Sequence, residues 1–363
     1  MFSPLFIFYL LVLADSPVNA VPVLNSDQNR MAEIRKEHKE ALKSYRKLAQ
    51  KEPETYLPYV AQTLNNLGIV DGAQNRAEEA RKGFAEAVKI YRELEQKNPG
   101  TYLPYVATTL NNLGTIDSAQ NRMEEARKEY EEALKIYRLL AQKNPENYLP
   151  ELAQMLNNLG LIDSAQGRMA EARTKYEEGV KTYRKLARNY PETYQSELAQ
   201  MLNNLGIVDD VQNRAEEARK AFEEALKTYR ELEQNNPESY LPYVALTLNN
   251  LGVLDHTQNR LEEARKALEE TLKIYPELAE KNRETYLPDL ALALNNLGVL
   301  DHTRTGWRRP GRRSRRRWRF TVSWRRKTGK PICLTSRWHW KTWEFLVMLN
   351  TRRKKLGKHS RRR

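Results

Sequence analysis

The sequence has 363 residues, with 61 Lys+Arg against 47 Asp+Glu, a formal net charge of +14 and one cysteine. A single cysteine excludes a disulfide framework and leaves the cellular compartment open. The length would suit about two or three globular domains, but a repeating pattern along the chain predicts one elongated array instead.

The first segment, residues 1–20, is apolar and resembles a secretory signal. Leu5 to Ala14 form a ten-residue apolar run, and Val18-Asn19-Ala20 after it resembles a small-residue cleavage site. Ten residues are too few to span a bilayer, and no Lys or Arg precedes Arg30, so the positive region of a secretory signal is missing. The localisation therefore stays open between export and the cytoplasm.

Residues 21–55 are predicted to be a partial N-terminal repeat. Val23-Leu24 and Gln28-Asn29-Arg30 already stand in phase with the repeats that follow. On this interpretation the apolar segment before them replaces a first helix and packs on a helix predicted at 31–51.

A 46-residue repeat then runs along the chain, and each unit is opened by a tyrosine: Tyr56, Tyr102, Tyr148, Tyr194, Tyr240 and Tyr286. Five complete units occupy residues 56–285, and residues 286–303 form the first helix of an incomplete sixth. Because one unit cannot bury its apolar faces alone, neighbouring units must stack. The predicted fold class is all-α, a solenoid of antiparallel helix pairs.

Each unit predicts a helix A and a longer helix B. In the second unit, Thr101-Tyr102-Leu103-Pro104 opens helix A, because proline suits a first helical turn, and the helix runs to about Ala119. A turn follows at Gln120-Asn121-Arg122, and helix B ends before Lys143-Asn144-Pro145.

The packing positions of the first complete unit resemble those of tetratricopeptide repeats: Leu64, Leu67, Gly68, Ala80, Phe84 and Ala87. Leu64 stands where that family often has tryptophan, Asp71 where it often has tyrosine, and helix B continues to Pro99. The pattern is therefore similar to the longer, kinesin-light-chain-like subtype. The resemblance implies a right-handed superhelix whose concave groove is lined by the A helices and holds peptides or partner proteins.

Paired asparagines follow a leucine in every helix A, and they are the predicted peptide-binding residues: Asn65, Asn66, Asn111, Asn112, Asn157, Asn158, Asn203, Asn204, Asn249, Asn250, Asn295 and Asn296. An amide both donates and accepts hydrogen bonds, so a ladder of amides can bind a peptide backbone with little regard to its sequence. The alternative is that one asparagine of each pair links neighbouring helices structurally.

An acid recurs five residues before an arginine across each turn between the helices, as at Asp163 and Arg168. A charge in a helix interface is costly unless it is paired, so a structural ion pair is the favoured interpretation over a binding role. The other pairs are Asp71–Arg76, Asp117–Arg122, Asp209–Arg214 and Asp255–Arg260.

No pattern in the sequence predicts catalysis, a metal site or a cofactor. The five histidines do not have the spacing that lets two imidazoles share a metal on one helix. Glutamate pairs such as Glu124-Glu125 are typical of solvated helix faces, since exposed carboxylates near their normal pKa lack the tuning that acid–base catalysis needs. We therefore expect a protein that is not an enzyme.

The C-terminal segment, residues 304–363, differs sharply in composition. It holds 23 of the 61 Lys+Arg, one of the 47 Asp+Glu, all six tryptophans and Cys333. The preceding residues retain 38 basic and 46 acidic side chains, a net charge of −8. Arginine interleaved with tryptophan is one signature of nucleic-acid binding, through phosphate contacts and base stacking.

A second explanation of this tail is a shifted reading frame. Codons for Arg304 to Arg312 can be chosen so that one added nucleotide regroups them to encode Gln-Asn-Arg-Leu-Glu-Glu-Ala-Arg-Lys, the string found at Gln258 to Lys266. The same shift places a tyrosine at position 332, 46 residues after Tyr286. The tail is therefore predicted to be out of frame and disordered, which would leave an exposed apolar stripe at Leu290, Leu294 and Leu297.

The favoured function is a non-catalytic scaffold that binds peptide or protein partners in the groove, with no cofactor and no transmembrane span. The alternative is nucleic-acid binding through the basic tail, which the composition permits at least non-specifically.

Overall fold

The computed structural model describes residues 25–304, 321–325 and 331–335, and side-chain burial is described for residues 30–301. The helices are α1 (Asn25–Ala49), α2 (Pro53–Ala73), α3 (Ala77–Lys97), α4 (Leu103–Ala119), α5 (Met123–Lys143), α6 (Pro145–Ala165), α7 (Met169–Asn189), α8 (Pro191–Val211), α9 (Ala215–Asn235), α10 (Pro237–Thr257), α11 (Leu261–Lys281) and α12 (Arg283–Arg304). Two strands follow, β1 (Thr321–Arg325) and β2 (Pro331–Thr335).

The helices of residues 25–304 stack in sequence order, each against the one before and the one after it. The even-numbered helices α2 to α12 are the predicted A helices, and the odd-numbered helices α1 to α11 are the B helices. Neighbouring A helices also contact each other, as α2 contacts α4 and α10 contacts α12. The predicted all-α solenoid of antiparallel helix pairs is confirmed.

Prolines position the starts of the A helices, although mostly one turn earlier than the tyrosine motif predicts. Helices α2, α6, α8 and α10 begin at a proline, whose missing N–H would be unpaired in the first turn. Pro58 and its equivalents in α6 and α10 then lie inside the helix. Of the A helices α2 to α12, only α4 begins where the tyrosine motif predicts, at Leu103. It follows Gly100, which has a φ of +89°.

The turn between helix A and helix B is built on a left-handed residue. Asn121 has a φ of +61°, a conformation that asparagine tolerates better than most side chains. Asn75, Asn213 and Asn259 adopt it too, and Gly167 takes the same place in the third unit with a φ of +75°. The backbone N–H of the next residue, an arginine, then donates to the aspartate carbonyl five residues earlier at 2.8 Å, as Arg122 does to Asp117.

Within each unit, a glycine of helix A lies against a large side chain of helix B. A Cβ on Gly160 would lie 2.5 Å from the ring of Tyr176, which is completely buried. The same contact joins Gly68 to Phe84, Gly114 to Tyr130, Gly206 to Phe222 and Gly252 to Leu268. The absence of a side chain at this glycine therefore lets the two helices approach closely.

The final helix, α12, does not present the apolar stripe that the sequence predicts. Leu290 packs with Tyr275 and Leu278 of α11 and is 5% exposed, while Leu297 packs with Leu268 and is 7% exposed. The prediction was wrong for these two residues, because the face they occupy is the one that covers the preceding helix B. Leu294 is half-buried, and Val299 is exposed.

Beyond α12, the structure describes only the strands β1 and β2. They pair antiparallel, with Ser323 opposite Cys333. A two-stranded hairpin alone is marginally stable in water. Most of the predicted disordered tail lies outside the described residues, so that expectation stays a prediction.

Candidate functional site: the A-helix groove

The paired asparagines form a continuous ladder between neighbouring A helices. From the second unit on, the second asparagine of each pair donates through Nδ2 to Oδ1 of the first asparagine in the preceding unit, as Asn158 does to Asn111 at 3.1 Å. The equivalent bonds are Asn112 to Asn65 at 3.1 Å, Asn204 to Asn157 at 3.0 Å, Asn250 to Asn203 at 3.1 Å and Asn296 to Asn249 at 2.9 Å. In the four internal pairs, from Asn111-Asn112 to Asn249-Asn250, both asparagines therefore link neighbouring helices, whereas the sequence-based alternative assigned that role to only one of them.

The exposure of the ladder changes along the array. Asn203, Asn204, Asn249 and Asn250 are at most 6% exposed, whereas Asn65, Asn111, Asn112, Asn157, Asn158 and Asn296 are half-buried and Asn66 and Asn295 are exposed. One hydrogen bond does not saturate a primary amide, which has two N–H donors and an acceptor oxygen. The accessible asparagines are therefore those up to Asn158, together with Asn295 and Asn296 in α12.

Three of the predicted Asp–Arg pairs make an ion pair across the turn. Asp163 Oδ1 lies 2.9 Å from Arg168 Nε, and the corresponding distances are 2.6 Å for Asp117–Arg122 and 3.2 Å for Asp209–Arg214. Asp71 and Arg76, and likewise Asp255 and Arg260, are joined instead by the backbone hydrogen bond from the arginine N–H to the aspartate carbonyl. The aspartates are at most 4% exposed, which supports the structural interpretation over a binding role.

A second arginine on each aspartate was missed from the sequence. Arg127 of α5 donates from Nε to Oδ1 of Asp163 at 3.0 Å, so the carboxylate joins one unit to helix B of the preceding unit. Equivalent pairs are Arg35–Asp71, Arg81–Asp117, Arg173–Asp209, Arg219–Asp255 and Arg265–Asp301. The sequence did contain a signal for these pairs, because the arginine of every Glu-Ala-Arg string stands 36 residues before the aspartate with which it pairs, as Arg127 does before Asp163.

The B helices carry a further ladder of exposed ion pairs. Arg138 Nη2 lies 2.9 and 2.6 Å from the two carboxylate oxygens of Glu178 in the next helix B. The other pairs are Arg46–Glu86, Arg92–Glu132, Arg184–Glu224 and Arg230–Glu270, and Pro276 replaces the next arginine. Exposed pairs of this kind contribute about 0.2–1 kcal/mol each, so they support the stacking weakly.

Tyrosines from helix B contact the A helices. Tyr137 accepts or donates a hydrogen bond with Thr108 Oγ1 at 3.0 Å, and Tyr91 stacks on Tyr105 with ring centroids 5.3 Å apart. Between α6 and α8, Tyr183 forms part of an open cleft of about 310 Å³. The cleft is lined by Pro150, Glu151, Gln154, Asn157, Asn158, Tyr183, Tyr194, Glu197 and Gln200.

One carboxyl outside this cleft has a strongly altered pKa. Burial, together with the Asp117 carboxylate beside it, raises the pKa of Glu129 to about 8, while Arg81 opposes the shift. The raised pKa favours the protonated form of Glu129, which lessens its repulsion from Asp117. This is an adjustment inside a helix interface, since Asp117 is already held by Arg81 and Arg122.

The described residues include neither a metal-ion site nor a membrane-spanning helix. No group of three or more His, Cys, Asp or Glu side chains in this part of the chain is arranged to hold a metal ion. None of the helices described above is long and apolar enough to cross a membrane.

Comparison with known families gives matches along most of the repeat body. Models described as tetratricopeptide repeat match residues 60–98, 92–139, 151–231 and 197–277. The comparison with curated proteins gives no match.

Several solved structures are similar in fold. BtubC (BKLC) from P. vanneervenii is 18% identical and has a TM-score of 0.52, with 78% of this chain and 96% of that chain covered. A putative kinesin light chain of Podosopora anserina with nearly identical TPR-like repeats is 17% identical, with a TM-score of 0.47 over 62% of this chain and 98% of that one. YrrB, described as a TPR protein with an unusual peptide-binding site, is 16% identical, with a TM-score of 0.44 over 70% and 98%.

Proposed function

This chain belongs to the tetratricopeptide-repeat family, and we propose that it is a non-catalytic scaffold that binds an extended peptide segment of a partner protein in its A-helix groove. The observation that carries the proposal is the asparagine ladder, whose half-buried members retain unused amide donors and acceptors. Spaced one per unit, these groups can bind peptide N–H and C=O groups as a strand edge does.

The nucleic-acid alternative rests on the tail rather than on the groove. The tail carries 23 of the 61 Lys+Arg and will attract polyanions whatever its origin. Attraction of that kind should not depend on sequence and should fall steeply with salt. A chain ending at Thr303 therefore separates the two functions, because it keeps the groove and loses the basic charge.

We expect replacement of the half-buried Asn112, Asn157 and Asn158 by alanine to weaken peptide binding by at least about tenfold, since each lost amide contact is worth about 1 kcal/mol. The ligands would be peptides selected from a random display library on the folded protein, and affinity would be measured by fluorescence anisotropy. Helix content by circular dichroism should be retained. Thermal stability should fall modestly, because the substitutions also remove the ladder bonds to Asn65, Asn111 and Asn204.

A matched control replaces Lys89, Lys135 and Lys181, which are exposed once per unit on helix B. This variant, and the chain ending at Thr303, should bind the selected peptides as the full chain does. Unchanged binding by a folded asparagine variant would remove the ladder from the account. A salt-resistant, sequence-selective RNA or DNA complex that is lost on truncation would instead establish the tail as functional.

A further inference from the structure

One position of helix A changes its chemistry in the middle of the array. Tyrosine occupies it in the first, second and fifth units, and glutamate occupies it in the third and fourth, at Glu151 and Glu197. Where tyrosine is present, its ring stacks on the tyrosine of the preceding helix B, with centroid distances of 5.4 Å for Tyr45–Tyr59, 5.3 Å for Tyr91–Tyr105 and 5.1 Å for Tyr229–Tyr243. The two glutamates remove that stacked ring, and the cleft between α6 and α8 lies where they occur.

Tyr183 lies in this cleft with an unused hydroxyl. The residue is only 7% exposed and belongs to the cleft lining. Its equivalent in the preceding unit, Tyr137, has a hydrogen bond to Thr108 at 3.0 Å. The position equivalent to Thr108 is Gln154, and within the described residues the Tyr183 hydroxyl has no hydrogen bond to it or to another group. Tyr183 is thus a largely buried residue that lines the cleft, and its hydroxyl has no hydrogen-bond partner within the described residues.

The two glutamates are also incompletely paired. One carboxylate oxygen, Oε2, of Glu151 and of Glu197 is buried without a hydrogen-bond partner, and neither residue has an ion pair with a Lys, Arg or His among residues 25–304. Burial raises the pKa of Glu197, and burial together with the Glu197 carboxylate raises the pKa of Tyr183. Buried carboxylates are normally compensated by a cation, and among the described residues no basic side chain lines this cleft.

The chemistry of the cleft selects one kind of occupant. A guanidinium group is planar, stacks on aromatic faces as a second ring would, and donates several N–H groups to carboxylates. It can therefore take the place of the missing tyrosine ring over Tyr183 while it pairs with Glu151 and Glu197. The surrounding amides, including Gln154 and Gln200, are suited to the adjoining peptide backbone.

We infer that the cleft between α6 and α8 binds an arginine side chain of the extended peptide that occupies the groove. The inference rests on the proposed function, and it adds the specificity of one subsite. The net charge of −8 for residues 1–303 agrees with a basic ligand.

The test compares three labelled peptides on the full-length protein at low ionic strength. The first is Ser-Gly-Ser-Ala-Arg-Ala-Ser-Gly-Ser, the second has citrulline in place of arginine, and the third has lysine. Hydrogen bonds to a charged group are stronger than those to a neutral one, so the arginine peptide should bind at least about tenfold more tightly than its neutral citrulline analogue. Lysine should fall between them, because it is a point charge without the stacking plane.

Three variants keep the test interpretable. Glu151→Gln with Glu197→Gln should abolish the preference for arginine. The control, Glu125→Gln with Glu171→Gln, removes the same charge at two exposed positions that are also one unit apart, and it should leave the preference unchanged. Glu197→Tyr restores the residue found at this position in three other units, so it should fold and exclude the arginine by filling the cleft.

Equal binding of the arginine and citrulline peptides, or no binding of the arginine peptide, would overturn the inference. A preference that survives Glu151→Gln with Glu197→Gln would overturn it as well. In each case the library-selected peptides decide whether the proposed function also fails. If they still depend on the asparagine ladder, only the arginine subsite is wrong, whereas if they are indifferent to it, groove binding itself is wrong.

Discussion

Replacement of Asp163 by alanine should lower the free energy of unfolding by about 2–4 kcal/mol, the largest effect expected of any single substitution considered for this chain. The Asp163 side chain is completely buried and pairs with Arg127 at 3.0 Å and Arg168 at 2.9 Å. Its removal leaves two guanidinium groups in a helix interface without their common carboxylate. Urea denaturation followed by circular dichroism measures the change, and Glu171→Ala, at an exposed position on α7, is the matched control.

Double-mutant cycles can divide this effect between the two arginines. The coupling of Asp163 to Arg127 connects neighbouring units, and the coupling to Arg168 closes a turn within one unit. We expect favourable coupling in both cycles, with loss of Arg127 also reducing the cooperativity of unfolding, since repeat arrays depend on nearest-neighbour interfaces. Strictly additive effects in both cycles would mean that the ion pairs contribute nothing measurable.

Gly160→Ala should destabilise the protein by about 1–3 kcal/mol, even though alanine is the better helix former. The added Cβ would lie 2.5 Å from the buried ring of Tyr176, which is enclosed between its own unit and its neighbours. The ring and the two helices must therefore shift to accept one methyl group. Thermal unfolding at fixed protein concentration would measure the loss.

Gly179→Ala is the control, because it makes the same chemical change in the adjacent helix α7. There the closest atom to an added Cβ is the flexible terminal methyl of Met201, and other units have alanine at this position, as at Ala133 and Ala225. We expect no loss or a small gain in stability. Equal destabilisation by the two substitutions would show that close packing at Gly160 is not special.

Most of the fold could be predicted from the sequence because the repeat multiplies each local signal. The Gln-Asn-Arg turn and the spacing of Gly68 from Phe84 recur in unit after unit, so helix pairing follows without tertiary information. The start of helix A was less predictable, because several units have two prolines at which the helix could begin. The later start is used in α4, which follows Gly100 with its positive φ.

The site was less predictable, because pairing between units is a matter of three-dimensional distance. Arg127 and Asp163 are 36 residues apart and meet only when helix B of one unit packs on helix A of the next. For the same reason, the sequence could not show that Asn158 bonds to Asn111. The cleft did have a sequence signal, the change from tyrosine to glutamate at Glu151 and Glu197, but its meaning depends on the stacking seen at Tyr105.

The central claim, that ligands bind on the A-helix face, is tested most directly by site-specific photocross-linking. A benzophenone amino acid would replace Gln154 in the cleft or Lys135, which is exposed on helix B, and each protein would be irradiated with a library-selected peptide. We predict that the peptide cross-links at position 154 and not at position 135. Cross-linking at position 135 alone, or equally at both positions, would contradict the account.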